Sequence, residues 1–245
     1  MANYAVDSLQ DGCYPGTVVL INTLNIRNQA DLDAVEGTIV PAKAALWEEK
    51  PLAESFDFAH YCAIHRFLFE DLYEWAVKPR TVDIAKKGTQ FCLAAQIEST
   101  SSAIFSRLEK QCFLVGLDKA HFISAIVDLY ERTNELHPFR EGNGRTQRVF
   151  LSQLARHAGY VIDFARIDPD DLMIATIQAA GGVDDFLKVL FGEMISAWCI
   201  GSVQVFYFFG SLNFCPFVVD HHLTTTVQRH HKTPKKKGGL FHIPL

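Results

Sequence analysis

The stretch HPFREGNGRTQRVF, residues 137–150, sets a histidine, a proline, two glycines and three arginines into one short junction of a chain otherwise patterned for helices. Pro138 disfavours helical geometry in the residue before it, so the preceding helix ends near His137. A new helix starts near Asn143, runs to about Ala158 and stops at Gly159. Its first turn leaves main-chain N–H groups without intrahelical partners, with the positive end of the helix dipole behind them. That is an anion site. Gly142 and Gly144 permit positive φ and close backbone approach, so the amides around Asn143 can form a phosphate nest. Arg145 and Arg148, three apart, are expected to project from one face toward the same anion. Glu141 is the acid placed to hold Mg²⁺ against phosphate oxygens. His137 carries a group that takes a proton at neutral pH. Base, metal ligand, anion nest and cationic clamps together are what transfer of a phosphate-bearing group requires.

Working outward, apolar residues recur at helical spacing in several segments. Phe58, Cys62, His65, Leu68, Leu72 and Trp75 predict a helix over about 57–76. Ile97, Ile104, Leu108 and Cys112 predict a second. Phe122, Ile126, Tyr130, Thr133 and Leu136 predict a third, capped by Asp118. Downstream, Asp168 is an N-cap with Pro169 at N1, Gly181 and Gly182 end that helix, and Val183 to about Ser196 reads as another. Upstream, a helix over about 29–49 is expected to be interrupted at Pro41. Between them, TVDIAKKGTQF, residues 81–91, alternates Val82 and Ile84 with polar residues ahead of a Lys-Lys-Gly turn, which predicts a small hairpin.

With 245 residues, 49% hydrophobic and 12% aromatic, the chain can bury a large core, which excludes intrinsic disorder as its basic character. A net charge of -5 argues against direct nucleic-acid binding. The six cysteines show neither a C-x-x-C pair nor metal-ligand spacing. The N-terminus shows no secretory signal pattern, and a cytoplasmic location is expected. Residues 195–219 contain no charged side chain and precede a tail bearing Arg229, Lys232, Lys235, Lys236 and Lys237. A membrane anchor there is the alternative to a segment that partly packs on the domain.

HPFREGNGRTQR matches all eight specified positions of the H-x-F-x-[D/E]-G-N-G-R-x-x-R signature, and so resembles the Fic-domain family, mainly enzymes that move AMP from ATP to target-protein hydroxyls. CYPGTVVLINTLNI and FEDLYEWAVKPRTVDIAKKGTQF are similar to the family's N-terminal segment and to its helix and target-docking flap. The resemblance implies a mainly α fold, a Fic-like helical bundle with a small β-hairpin flap over the active site. The domain is expected over 1–196, with its core at 14–196 and an extension at 197–245. By position, His137 is implied as general base, Phe139 as a buried anchor and Glu141 as the Mg²⁺ ligand. Gly142, Asn143, Gly144, Arg145 and Arg148 are implied to bind the phosphates of ATP. Val82, Asp83, Ile84, Gly88, Thr89 and Phe91 form the implied docking flap, pairing with an extended target segment.

Gly144 and Arg148 favour AMP transfer over the phosphotransfer of Doc-type relatives. The family's inhibitory [S/T]-x-x-x-E-[G/N] helix finds its nearest counterpart in LDAVEG, residues 32–37, where Leu32 replaces the hydroxyl residue. That resembles the branch in which a small antitoxin supplies the helix and the targets include type II topoisomerase subunits. The alternatives are transfer of another phosphate-containing group, or a catalytically restrained, membrane-tethered interaction protein.

Overall fold

A computed structural model describes residues 5–6, 12–49, 55–86 and 89–198. Seven α-helices lie among them: α1 Gln29–Glu48, α2 Phe58–Phe69, α3 Ile97–Lys110, α4 Lys119–Leu136, α5 Asn143–His157, α6 Pro169–Ala180 and α7 Asp185–Met194. The strands are short. β1 Ala5–Val6, β2 Ile84–Lys86 and β3 Thr89–Gln90 form one antiparallel sheet in that order, and β4 Tyr160–Ile162 pairs antiparallel with β5 Ile195–Ala197.

Asp118 and Asp168 cap their helices as expected from the sequence, and Asp57 does the same for α2. Asp57 accepts from the His60 amide, Asp118 from that of His121 and Asp168 from that of Asp170, each satisfying an N–H that the helix itself leaves open. Three boundaries differ from expectation. The helix expected over 57–76 stops at Phe69, where the Leu72 amide tightens onto the Phe69 carbonyl in an i→i−3 bond, and Glu74–Val77 forms a separate 3₁₀ turn. α1 runs through Pro41 without interruption; Pro41 and Gly37, four residues earlier, both face solvent, where a helix can open locally to relieve the ring. The last helix ends at Met194, and Ile195–Ala197 leaves as β5. The start of the uncharged segment therefore belongs to the sheet, with the Trp198 amide bonded to the Gly159 carbonyl at 2.9 Å. No helix among the described residues is long and apolar enough to cross a membrane, and 199–245 lie outside them.

α5 is the axis on which the core is built. Phe150, fully buried, meets Tyr61 of α2, Phe105 of α3 and Phe56 edge-on, at centroid distances of 5.3, 5.7 and 6.0 Å. Edge-to-face geometry suits the ring quadrupoles, and truncating such a side chain costs about 3–5 kcal/mol. Polar contacts fix the register of α5 on α4. The Gln147 side-chain amide donates to the Tyr130 carbonyl at 2.7 Å and to the Thr133 hydroxyl at 2.8 Å. Both helices thus hold the junction 137–143 from either side.

Candidate active site

α4 ends at His137 itself, which adopts the left-handed region at φ 40° and ψ 59°. For a residue with a Cβ this costs about 1–2 kcal/mol, and it swings the imidazole out of the helix line. The ring is fixed at both ends. Its Nδ1 donates to the Asn134 carbonyl at 3.0 Å, which makes Nε2 the basic nitrogen, and the Phe91 ring stacks on it at 3.7 Å. Phe139, two residues on, is the buried anchor. It lies between His65 of α2, stacked at 3.6 Å, and Tyr61 at 5.9 Å.

The loop then closes by main-chain bonds that only certain residues can provide. Asn143 accepts from the Phe139 amide at 2.8 Å and donates to the Phe139 carbonyl at 2.7 Å, so its side chain is spent on the loop. What Asn143 can offer an anion is its main-chain N–H. Gly142 has φ 82°, and a Cβ there would stand 2.4 Å from the Phe69 ring, so glycine is required twice over. Gly144 differs from expectation. It lies within the first turn of α5 with no positive φ, and the nearest atom to a Cβ there would be Arg148 Nη1 at 3.7 Å. Its service is bare backbone beside the arginine rather than conformational freedom.

Glu141 is buried, and loss of hydration raises its pKa, opposed by the Gly142 amide and then by Arg145. Both of its hydrogen bonds fall on Oε1, at 2.9 Å from the Gly142 amide and 3.3 Å from Arg145, which leaves Oε2 as an acceptor. The described residues contain no cluster of three or more side chains able to hold a metal ion. A single carboxylate oxygen suits a hard cation that takes its remaining ligands from phosphate and water.

The two arginines have different surroundings. Arg145 ion-pairs with Glu36 of α1 at 2.7 Å and with Glu141 at 3.3 Å, and its guanidinium lies 4.7 Å over the Phe69 ring. Glu36 is itself buried and accepts from the Tyr73 hydroxyl. Thus the glutamate of LDAVEG reaches the first motif arginine and not the second. Arg148 has no ion pair among the described residues. It lines a cavity of about 310 Å³ with His137, Phe91, Tyr130 and Asn134. Water reaches it through the cavity, while the enclosing protein lowers its pKa by desolvation. A cation so placed calls for an anionic ligand.

The far wall of that cavity was not identified in the sequence. Pro169, Leu172, Met173, Thr176 and Ile177 of α6 line it, with the Thr176 hydroxyl 2.9 Å from that of Tyr130. The only signal was the helix start at Asp168, which says nothing about which residues face the loop. Of the implied flap, Val82, Ile84 and Phe91 form a small apolar cluster, and Asp83 Oδ1 accepts from the Ala94 amide at 2.6 Å. Thr89 opens β3, and Gly88 lies outside the described residues. β1 pairs along β2, with Ala5 opposite Ala85 and Val6 opposite Ile84, a strand the hairpin reading did not include.

Residues 55–155 match the Fic/DOC family. The chain is 38% identical over 183 residues to the probable protein adenylyltransferase Fic of Escherichia coli, covering 75% of this chain and 90% of that protein. It is also 38% identical over 186 residues to the protein adenylyltransferase VbhT of Bartonella schoenbuchensis, covering 76% of this chain and 39% of the longer protein. Among solved structures, the BepC protein of Bartonella tribocorum with bound AMPPNP superposes with a TM-score of 0.72 at 28% identity, over 77% of this chain and 97% of that one. An N-terminal Fic domain of a Bartonella quintana effector with bound ADP gives 0.71 at 27% identity, over 76% and 95%. By motif, by fold and by these relatives, the chain belongs to the Fic/DOC family.

Proposed function

We infer that the chain is a protein adenylyltransferase that moves AMP from ATP to a Ser, Thr or Tyr hydroxyl of a target protein. The observation that carries this reading is the pairing, across one cavity, of a histidine with a fixed tautomer at the end of α4 and an arginine of α5 that has no ion pair among the described residues. Named relatives with this activity and neighbours solved with adenine nucleotides agree with it.

His137 Nε2 takes the proton of the attacking hydroxyl. The hydroxyl oxygen bonds to the α-phosphorus, the bond to the bridging oxygen breaks, and pyrophosphate leaves with the electron pair. The amides at Gly142, Asn143 and Gly144 and the α5 dipole receive phosphate oxygens, and Arg148 binds the far end of the triphosphate. Arg145 contributes from its place between Glu36 and Glu141. Glu141 would hold Mg²⁺ through its carboxylate, and the ion would supply neutralisation of charge on the phosphates. The apolar α6 residues Leu172, Met173 and Ile177 face the nucleoside end, where a flat base gains from burial.

The catalytic unit in this reading spans 1–196, with its core at 14–196. The flap takes an extended target segment by strand addition; a segment pairing with β2 replaces β1. A separate small antitoxin restrains the enzyme by covering Arg148 with a carboxylate. The absence of an ion pair at Arg148 among the described residues supports this, and Glu36 is committed to Arg145. The site of action is the cytoplasm, and type II topoisomerase subunits are the first targets to try. Incubating the chain and Mg²⁺ with bacterial lysate and ATP labelled at either the α- or the γ-phosphate tests the activity. A discrete protein band with the α-label alone is expected. A γ-labelled band identifies phosphotransfer instead, and no band with either label contradicts the reading.

A further inference from the structure

Arg80 sits between the 3₁₀ turn and β2, and its side chain is entirely buried. The guanidinium lies 4.0 Å from the Asp83 carboxylate, at the outer limit of an ion pair. Its donors also bind main-chain carbonyls. Nε donates to His137 at 2.8 Å, Nη1 to Val82 at 2.7 Å and Nη2 to Cys92. The Arg80 amide adds a bond to the Pro138 carbonyl at 2.8 Å.

These acceptors are not a random set. Val82 and Cys92 bracket the flap, one before β2 and one after β3, while His137 and Pro138 are the turn that carries the catalytic imidazole. The left-handed geometry of His137 takes its carbonyl out of the helical ladder, so that oxygen needs a donor from elsewhere. A planar fork with fixed donor directions can bridge three carbonyls at once, which a single ammonium on a flexible stem cannot. Two further contacts run the same way: the Cys92 amide donates to the Glu135 carbonyl at 2.9 Å, and the Phe91 ring lies on the His137 ring.

We propose that Arg80 is a positioning residue that fixes the flap to His137, and so sets where a segment docked on the flap presents its hydroxyl to Nε2. The inference rests on the reading of 82–91 as the docking element and of His137 as the base. Arg80 itself touches neither nucleotide nor target. Its effect should therefore separate two reactions that share a site: transfer to a protein hydroxyl, which needs the flap, and release of AMP when water is the acceptor, which does not.

The test compares Arg80→Lys with the unaltered chain. Three quantities are measured: label from the α-phosphate in the protein band produced in bacterial lysate, AMP release by the purified chain, and ATP affinity. The expected result is a fall of tenfold or more in the ratio of target labelling to AMP release, with ATP affinity changed less than twofold. A ratio that stays constant overturns the inference, whether both rates persist or both fall together, because Arg80 would then serve the fold alone. Should Arg80→Lys fail to fold, Arg80→Gln, which keeps an amide donor but not the three-way fork, takes its place; a fall in the same ratio is expected, and an unchanged ratio again overturns the inference. No band with the unaltered chain contradicts the transferase reading itself and removes this inference with it.

Discussion

The loop at the start of α5 and the α6 wall of the cavity are built on different terms. On the α5 side nearly every polar group has a structural duty: Asn143 closes the loop, Glu141 grips the Gly142 amide, and Arg145 is held by two carboxylates. On the α6 side the residues are mainly apolar, and Ile177 remains half exposed. The loop wall is preorganised, so its contribution to a transition state requires little rearrangement. The α6 wall offers surface and shape, which favours binding in the ground and transition states alike. Substitutions on the first wall should therefore disturb folding or the chemical step, and those on the second should chiefly disturb nucleotide affinity.

The largest effect that would expose this contrast is expected from Gly142→Ala. The added methyl meets Phe69 at 2.4 Å on a backbone at φ 82°. Overpacking and the left-handed backbone together cost about 2–5 kcal/mol, visible as a lowered midpoint in thermal unfolding. Next in size is Arg148→Ala. Loss of charge-assisted hydrogen bonds worth about 1.5–3 kcal/mol should raise KM for ATP by about 10- to 100-fold, measured by steady-state kinetics, while thermal stability holds. Met173→Ala on the α6 wall should raise KM several-fold with kcat kept, again by steady-state kinetics; a loss confined to kcat would break the proposed division between the walls. The smallest is Gly144→Ala. With 3.7 Å of clearance and a helical backbone, it should raise stability by up to about 1 kcal/mol, readable in denaturant titration and opposite in sign to its neighbour.

The same contrast explains how much could be read before the fold was known. The loop was legible because its geometry is local. Proline before a break, glycine at a left-handed turn and caps at Asp118 and Asp168 each act within a few residues of themselves, and the structure has them where the pattern placed them. Gly144 was misread because two glycines in one turn look alike in sequence, and only the φ angle separates them. The α6 wall, the Glu36–Arg145 pair and the bridging role of Arg80 were not legible. Glu36 lies 109 positions from Arg145, and Arg80 lies 57 from His137. Such contacts are set by how helices pack, not by any local preference. Pro41 shows the limit from the other side, since tertiary packing of α1 overrode a residue that on its own ends helices.

The central claim is that His137 supplies the base in AMP transfer while the rest of the loop and Arg148 hold the nucleotide. His137→Ala tests it directly when α-phosphate labelling in lysate and ATP affinity are measured on the same preparation. The account predicts that labelling falls by about 10²–10⁴-fold while ATP affinity stays within twofold of the unaltered chain. Labelling that persists at the original rate, with ATP bound normally, would contradict it.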